Sequence, residues 1–184
     1  MRRRHFIQAG LALPAAMALP LAGLAQTPQC KTGAALTRRQ TEGPYYSPNT
    51  PRKESLVEAG SKAQRIVVAG LVLTQDCKPV ARALLDFWHA DETGEYDNAG
   101  FRYRGHVFAD AQGRYRVETI LPALYPGRAR HIHVKVGAPN RAPLTTQLYF
   151  PDDPGNARDG IFRPELQMKR EGDAWRFDFV IEAG

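Results

Sequence analysis

Tyr125-Pro126-Gly127-Arg128-Ala129-Arg130-His131-Ile132-His133-Val134-Lys135-Val136 is the stretch from which the rest of the chain is read. Its second half has the pattern of an extended segment, in which successive side chains point to opposite faces. His131 and His133 then share one face and can grip one ion together, while Ile132 faces the other way. Tyr125 opens the stretch and Tyr96 precedes it, so two phenol oxygens and two imidazole nitrogens fall close together in sequence. Such a set suits iron(III), a hard cation that favours anionic oxygen. Free tyrosine titrates near pH ~10, so a strongly polarising ion is needed to hold two phenols ionised near neutrality. Zinc sites draw instead on Cys, His and carboxylate, and iron(II) oxygenases commonly use two His and one carboxylate.

On either side, short apolar runs alternate with turn residues. The runs are Arg65–Thr74, Arg82–Ala90, Tyr103–Ala109, Arg114–Ile120, His131–Val136, Thr145–Phe150 and Trp175–Ile181. Breaks such as Asp76-Cys77-Lys78-Pro79, Asp110-Ala111-Gln112-Gly113 and Pro151-Asp152-Asp153-Pro154-Gly155 separate them. This spacing predicts an all-β chain, an antiparallel β-sandwich of immunoglobulin or prealbumin type. Residues 26–51 carry scattered proline, glycine and threonine without a helical period, and are expected to wrap the core irregularly. Ala157–Gln167 is the least regular late segment and is expected to form a loop at the mouth of the site.

The quoted stretch and four other ordered segments resemble the intradiol ring-cleavage dioxygenases, and among them the protocatechuate 3,4-dioxygenase-like core. The other segments are Gly43-Pro44-Tyr45-Tyr46, Leu85–Asp91 running on to Gly94-Glu95-Tyr96, Asp110–Tyr115, and Thr146–Phe150. The resemblance implies non-haem iron(III) held by Tyr96, Tyr125, His131 and His133, with Tyr125 leaving as the catechol binds and acting as a base. It places Arg128 and Gln147 on the substrate side, where Arg128 would stabilise negative charge building on the ring. Trp88 and Tyr46 match the family's tryptophan ahead of the first tyrosine ligand and the tyrosine of its entrance loop. The implied reaction opens a catechol-type ring with O₂ to a cis,cis-muconate-type dicarboxylate. The catechol-cleaving members add a long N-terminal helical domain, for which about 40 residues ahead of Arg65 leave no room.

His89 and His106 match no ligand position and stay outside the site. For the carboxylate of a protocatechuate-like substrate, Arg102, Arg104, Arg141, Arg158 and Arg163 are equally open. Two rivals remain: a non-catalytic periplasmic β-sandwich binding module, and a His-rich copper or zinc site. A chain with a complete ligand set could also partner itself in a homo-oligomer.

Residues 1–25 read differently. Arg2, Arg3 and Arg4 precede an apolar run from Ala9 to Leu24, with small residues Gly23 and Ala25 before Gln26. Arg3-Arg4 with Phe6 reads as a twin-arginine export signal, which places residues 26–184 in the periplasm or outside the cell with no stable membrane anchor. Without those three arginines, 22 basic residues face 19 acidic ones and the formal charge falls from +6 to +3. That balance, with no basic run and no phosphate-cradling glycine loop, gives no case for nucleic acid. Cys30 and Cys77, the only cysteines, are expected to pair in an exported protein.

Overall fold

The computed structural model describes residues 30–182; the twin-arginine leader read at residues 1–25 lies outside them. Nine strands form among the described residues, and each predicted apolar run overlaps at least one. They are β1 (Arg65–Leu73), β2 (Leu84–Trp88), β3 (Arg104–Phe108), β4 (Arg114–Ile120), β5 (His131–Gly137), β6 (Leu144–Tyr149), β7 (Lys169–Glu171), β8 (Ala174–Arg176) and β9 (Phe179–Val180). One sheet runs β4-β1-β8-β7 with β9 also on β1; the other runs β3-β2-β5-β6.

The period of two decides what lies between the sheets. Leu85 and Phe87 from β2, Ile132, Val134 and Val136 from β5, and Leu148 from β6 meet Val68, Val72, Val117 and Phe179 of the facing sheet in one core. All are buried, and each large apolar side chain so placed contributes on the order of 2 kcal/mol. The stretch expected to wrap the core does so over its described residues 30–51, and residues 52–57 continue it. Thr37 N–H donates to the Val180 carbonyl (2.9 Å) and Gln40 N–H to the Thr145 carbonyl (2.9 Å), while Arg52 bridges His106 and Ser55 bridges Glu118. No helix among the described residues is long and apolar enough to cross a membrane.

Two features depart from a plain antiparallel sandwich. β7 is a charged, exposed edge strand, Lys169-Arg170-Glu171, with no apolar alternation to announce it. The run Trp175–Ile181 splits into β8 and β9, both parallel to β1. The split falls at Gly70, where a Cβ would lie 1.9 Å from the Phe177 carbonyl oxygen. Asp178 Oδ1 then accepts the Leu71 N–H at 2.9 Å. A side chain at position 70 would push the crossing away, so the last strand reaches β1 only because that residue is glycine.

Cys30 and Cys77 are joined, tying the start of the wrap to the turn after β1 across a sequence separation of 47 residues. Closing a loop of that size stabilises the fold by about 4 kcal/mol on loop-closure entropy.

Candidate active site

Alternation along β5 sends Ile132, Val134 and Val136 into the core, which leaves His131, His133 and Lys135 on the outer face of their sheet. Strand register lines up neighbours on that face. Trp88 of β2 lies opposite both Arg104 and His133, His133 opposite Gln147, and His131 opposite Tyr149. Loops and the N-terminal wrap cover this row, so all these side chains are buried although they lie outside the sandwich core.

Three donor atoms converge there. His131 Nε2 lies 3.1 Å from Tyr96 Oη and 3.2 Å from His133 Nε2. His131 Nδ1 sits 2.7 Å from the Ala129 carbonyl, which can only accept; the proton is therefore on Nδ1 and the Nε2 lone pair faces Tyr96 and His133. The Trp88 ring stacks on the His133 imidazole (4.8 Å, 9°) and fixes its plane. Tyr125 brings its ring edge-on to Tyr96 at 5.8 Å. Among the described residues no three His, Cys, Asp or Glu side chains gather into a metal-holding group, and the side-chain oxygen within hydrogen-bond distance of the His131 imidazole is the Tyr96 phenol.

Local chemistry delivers the two tyrosines. Asp91 Oδ1 accepts the Thr93 and Glu95 N–H groups (2.8 and 3.0 Å), and Asp97 caps the Ala99 and Gly100 N–H groups, so Tyr96 sits between two carboxylate-built turns. Gly94, at φ +91°, lies where a Cβ would stand 2.5 Å from the Leu124 carbonyl oxygen, which lets this loop rest against the one bearing Tyr125. Tyr125-Pro126-Gly127-Arg128 closes with Arg128 N–H on the Tyr125 carbonyl (3.0 Å) and Gly127 at φ +77°, the pattern of a type II turn. That turn aims Tyr125 and Arg128 from one short rigid loop.

Arg128 is clamped. Its Nε donates to Asp159 Oδ2 (2.8 Å) and its Nη2 to Gln147 Oε1 (2.7 Å), while Gln147 Nε2 donates to the Thr41 carbonyl (3.0 Å). Tyr149 Oη donates to Gln40 Oε1 at 2.8 Å and lies 3.1 Å from Gln147 Oε1. Arg128 and Gln147 thus adjoin the imidazole pair through strand register and direct hydrogen bonds.

Tyr46 and Trp88 stand to one side. Tyr46 tilts against Trp88 (4.9 Å), donates to Asp86 Oδ2 (3.1 Å) and carries Lys135 Nζ 3.9 Å over its ring. Burial and the Asp86 carboxylate push its phenol up to about 12. Trp88 is 1% exposed, so its stacking partner is the imidazole. His89 has both ring nitrogens occupied, by the Ala90 carbonyl and the Thr119 hydroxyl, and His106 Nδ1 rests on the Thr50 carbonyl; neither joins the cluster. Of the arginines open for a substrate carboxylate, Arg104 is buried on the carbonyls of Asp97 and Tyr45, Arg102 pairs with Asp91, and Arg163 lies on the Phe162 carbonyl. Arg141 and Arg158 are exposed.

Burial holds the imidazoles and the Tyr96 phenol of this site in their uncharged forms. Burial, reinforced by the Arg128 charge, lowers His131 to about 4. Burial takes His133 well below the ordinary histidine value, and burial also lowers His89 to about 4. Burial raises the Tyr96 phenol. The three depressed histidines fix a pH dependence for the metal-free protein. Unfolded histidine binds its proton near pH 6.5, while folded His131 and His89 refuse it until about 4 and His133 resists it in the same direction, so stability is full above 6.5 and is lost as pH falls through that window. Each contributes up to about 1.4 kcal/mol per pH unit, and Asp86, whose carboxyl is raised by burial, opposes the loss at the acid end. Urea midpoints of the metal-free protein are expected to drop steadily from pH 6.5 to 4.5; a level profile would contradict the burial of these imidazoles.

A family model described as Dioxygenase matches residues 41–171. The chain belongs to the intradiol ring-cleavage dioxygenase family. This dioxygenase is 34% identical over 178 residues to a chlorocatechol 1,2-dioxygenase of Pseudomonas sp. (strain P51), covering 79% of this chain and 70% of that one. It is 36% identical over 149 residues to the protocatechuate 3,4-dioxygenase beta chain of Burkholderia cepacia, covering 64% and 63%. Against catechol 1,2-dioxygenase 2 of Acinetobacter lwoffii it spans 52% of the relative's length. Among solved structures it superposes with a TM-score of 0.77 and 47% identity on the dioxygenase domain of a dioxygenase carbohydrate-binding protein fusion from Streptomyces sp. SirexAA-E, covering 82% of this chain and all of that one.

Two residues of this dioxygenase that were assigned no role from sequence stand in contact with the site. Tyr45 stacks on Tyr96 (4.6 Å, 18°) and its Oη lies 2.8 Å from Tyr125 Oη. Asp159, inside the loop expected at the mouth of the site, holds Arg128. A second aromatic after Gly-Pro is a weak signal for the first; nothing in the sequence marks the second.

Proposed function

We propose that this dioxygenase is iron(III)-dependent and cleaves a catechol-type ring with O₂, between the two hydroxylated carbons, to a cis,cis-muconate-type dicarboxylate. The observation that carries the reading is the convergence of Tyr96 Oη with the Nε2 atoms of His131 and His133 under the Tyr125 loop. Phenol and neutral imidazole suit iron(III), and no carboxylate or thiol set rivals them among the described residues. Iron(III) held by Tyr96, Tyr125, His131 and His133 would supply the charge that ionises phenols and activates a chelated catechol toward O₂.

The protein's own groups do the rest. Burial keeps both histidines neutral, so their lone pairs are available without a proton to expel. Tyr125 Oη, once ionised by the bound cation, would take a proton from a catechol hydroxyl as the substrate enters. Arg128, with Asp159 and Gln147 fixing its orientation, stabilises anionic character on the ring. Trp88 holds the His133 plane, and Tyr46 braces Trp88.

We further propose export through the twin-arginine route, in keeping with the Arg3-Arg4 leader and with a Cys30–Cys77 disulfide suited to an oxidising compartment. Protein purified with its native metal is expected to be reddish from tyrosinate-to-iron(III) charge transfer. It is also expected to consume O₂ on at least one of catechol, protocatechuate, hydroxyquinol or chlorocatechol. Colourless, zinc-loaded material that takes up no O₂ on the whole panel would replace this reading with the binding-module one.

A further inference from the structure

We infer that a second cavity, between the β5–β6 hairpin, the wrap and the last strand, binds a small hydrophobic carboxylate, a single ring or short chain carrying one anionic group. The cavity measures about 320 Å³. That volume lies at the lower end of the range for small-molecule sites, about 300–1,000 Å³. None of Tyr96, Tyr125, Arg128, His131, His133 or Gln147 lines it, so it is separate from the candidate active site and independent of the iron(III) reading.

Its walls are fixed by hydrogen bonds. Thr37 N–H donates to the Val180 carbonyl and Val180 N–H to the Thr37 hydroxyl, both at 2.9 Å, which fastens the wrap to β9. Arg39 Nη2 donates to the Pro143 carbonyl (2.9 Å) and ties the wrap to the start of β6. The hairpin between β5 and β6 closes with Arg141 N–H on the Ala138 carbonyl (3.3 Å) and Asn140 at φ +61°. Val136, Leu144 and Ile181 line the cavity from its buried side and belong to the sandwich core, so its inner surface is apolar. Leu36, 40% exposed, continues that apolar surface outward.

Charge selects the ligand. Arg39 and Arg141 line the same cavity, and neither joins an ion pair among the described residues. Glu182 is the single carboxylate of the lining, so two guanidiniums face one acid. A larger cavity of about 800 Å³ shares Leu36, Thr37 and Val180, but its arginines are already matched: Arg38 pairs with Glu165, and Arg176 with Glu171 and Asp178. Only the smaller one therefore joins an apolar interior to surplus positive charge. A ring or alkyl chain displaces water from Val136, Leu144 and Ile181, while a carboxylate takes charge-assisted hydrogen bonds from the guanidiniums. An uncharged analogue gains only the first of these. A dicarboxylate of the kind ring cleavage yields lacks the apolar end. Arg141, open from sequence for the carboxylate of a catechol substrate, thus serves a different carboxylate at a different place.

The test is calorimetric titration of the natively loaded protein with benzoate, hexanoate and the uncharged benzamide. Benzoate is expected to bind about tenfold more tightly than benzamide, and whichever of benzoate and hexanoate is tighter identifies the apolar end as ring or chain, either order supporting the site. Arg141→Gln, at an exposed position, is expected to weaken benzoate about fivefold, the upper end for one solvent-exposed charge pair. Ala142→Trp, which fills the cavity from its exposed rim, is expected to abolish binding there. Both variants should keep the wild-type kcat and KM on a catechol. Benzoate that binds equally well to wild type and both variants and raises the KM for the catechol sits in the active site, and overturns the inference. Absence of benzoate binding, or benzamide binding as tightly as benzoate, overturns it as well. So does a wild-type dimer, by sedimentation, that Arg141→Gln dissociates, since the cavity would then be covered by a second copy.

Discussion

His133→Ala is expected to strip the protein of iron and colour and to reduce O₂ uptake on its best catechol to below about a thousandth of wild type. Changes to groups that only support metal ligands typically cost 10–100-fold in metal affinity or activity, and removal of a ligand exceeds that. Here the loss compounds, because His133 faces His131 Nε2 at 3.2 Å and is the surface on which both Trp88 and the Gly43 backbone rest. Truncation leaves a buried cavity beside Trp88, so a melting loss of about 2 kcal/mol should accompany the chemical one. His89→Ala is the control, since His89 is equally buried but spends both ring nitrogens on Ala90 and Thr119. That variant should lose stability and keep its iron. Equal iron in the two variants, by elemental assay of natively loaded material, would remove His133 from the ligand set.

The contrast between these histidines shows what the sequence could say. That His131 and His133 share one strand face was legible because the period of two is local, and strand register then brings Gln147 opposite His133. The sandwich was legible for the same reason: its core strands are runs of alternating apolar residues whose inward positions read directly as Leu85, Phe87, Ile132, Val134 and Val136. What stayed hidden is what non-local geometry decides. β7 carries only charged residues, so nothing periodic marks it. The parallel docking of β8 and β9 depends on the Phe177 carbonyl passing Gly70, a contact between residues far apart in sequence. Tyr45 was passed over for Tyr46 because adjacent tyrosines in an irregular loop carry no facing information. In three dimensions the Arg104 clamp holds the Tyr45 backbone while Asp86 and Trp88 engage Tyr46, and the Tyr45 ring is the one that stacks on Tyr96.

Asp159 is the sharpest case of a residue visible only in three dimensions, and Asp159→Ala is expected to damage stability and turnover together. Its side chain is 1% exposed and accepts the Arg128 Nε (2.8 Å), the Ala129 N–H (3.0 Å) and, on its other oxygen, the Ile161 N–H (3.0 Å). Burial alone would raise its pKa, but those two N–H groups and the Arg128 charge outweigh burial and hold the carboxyl below its ordinary value. Alanine leaves the guanidinium and two N–H donors without this acceptor, at a cost of about 3 kcal/mol, or roughly 6–12 °C in melting temperature for a chain of this size. Freed from Asp159, Arg128 keeps only its Nη2 contacts to Gln147 and Tyr149, and a shift of about 1 Å in a positioning group can cost on the order of 100-fold in rate. Asp153 provides the comparison: it is just as buried and pairs with Arg130 (3.3 Å), a residue turned away from Gln147 and Tyr149 in the hydrogen-bond network. Asp153→Ala should therefore lower the melting temperature and leave kcat within about threefold of wild type, since an ordinary buried pair affects folding alone. If both variants lose rate to the same degree once corrected for folded fraction, Asp159 acts as scaffold only and the orientation of Arg128 is set elsewhere.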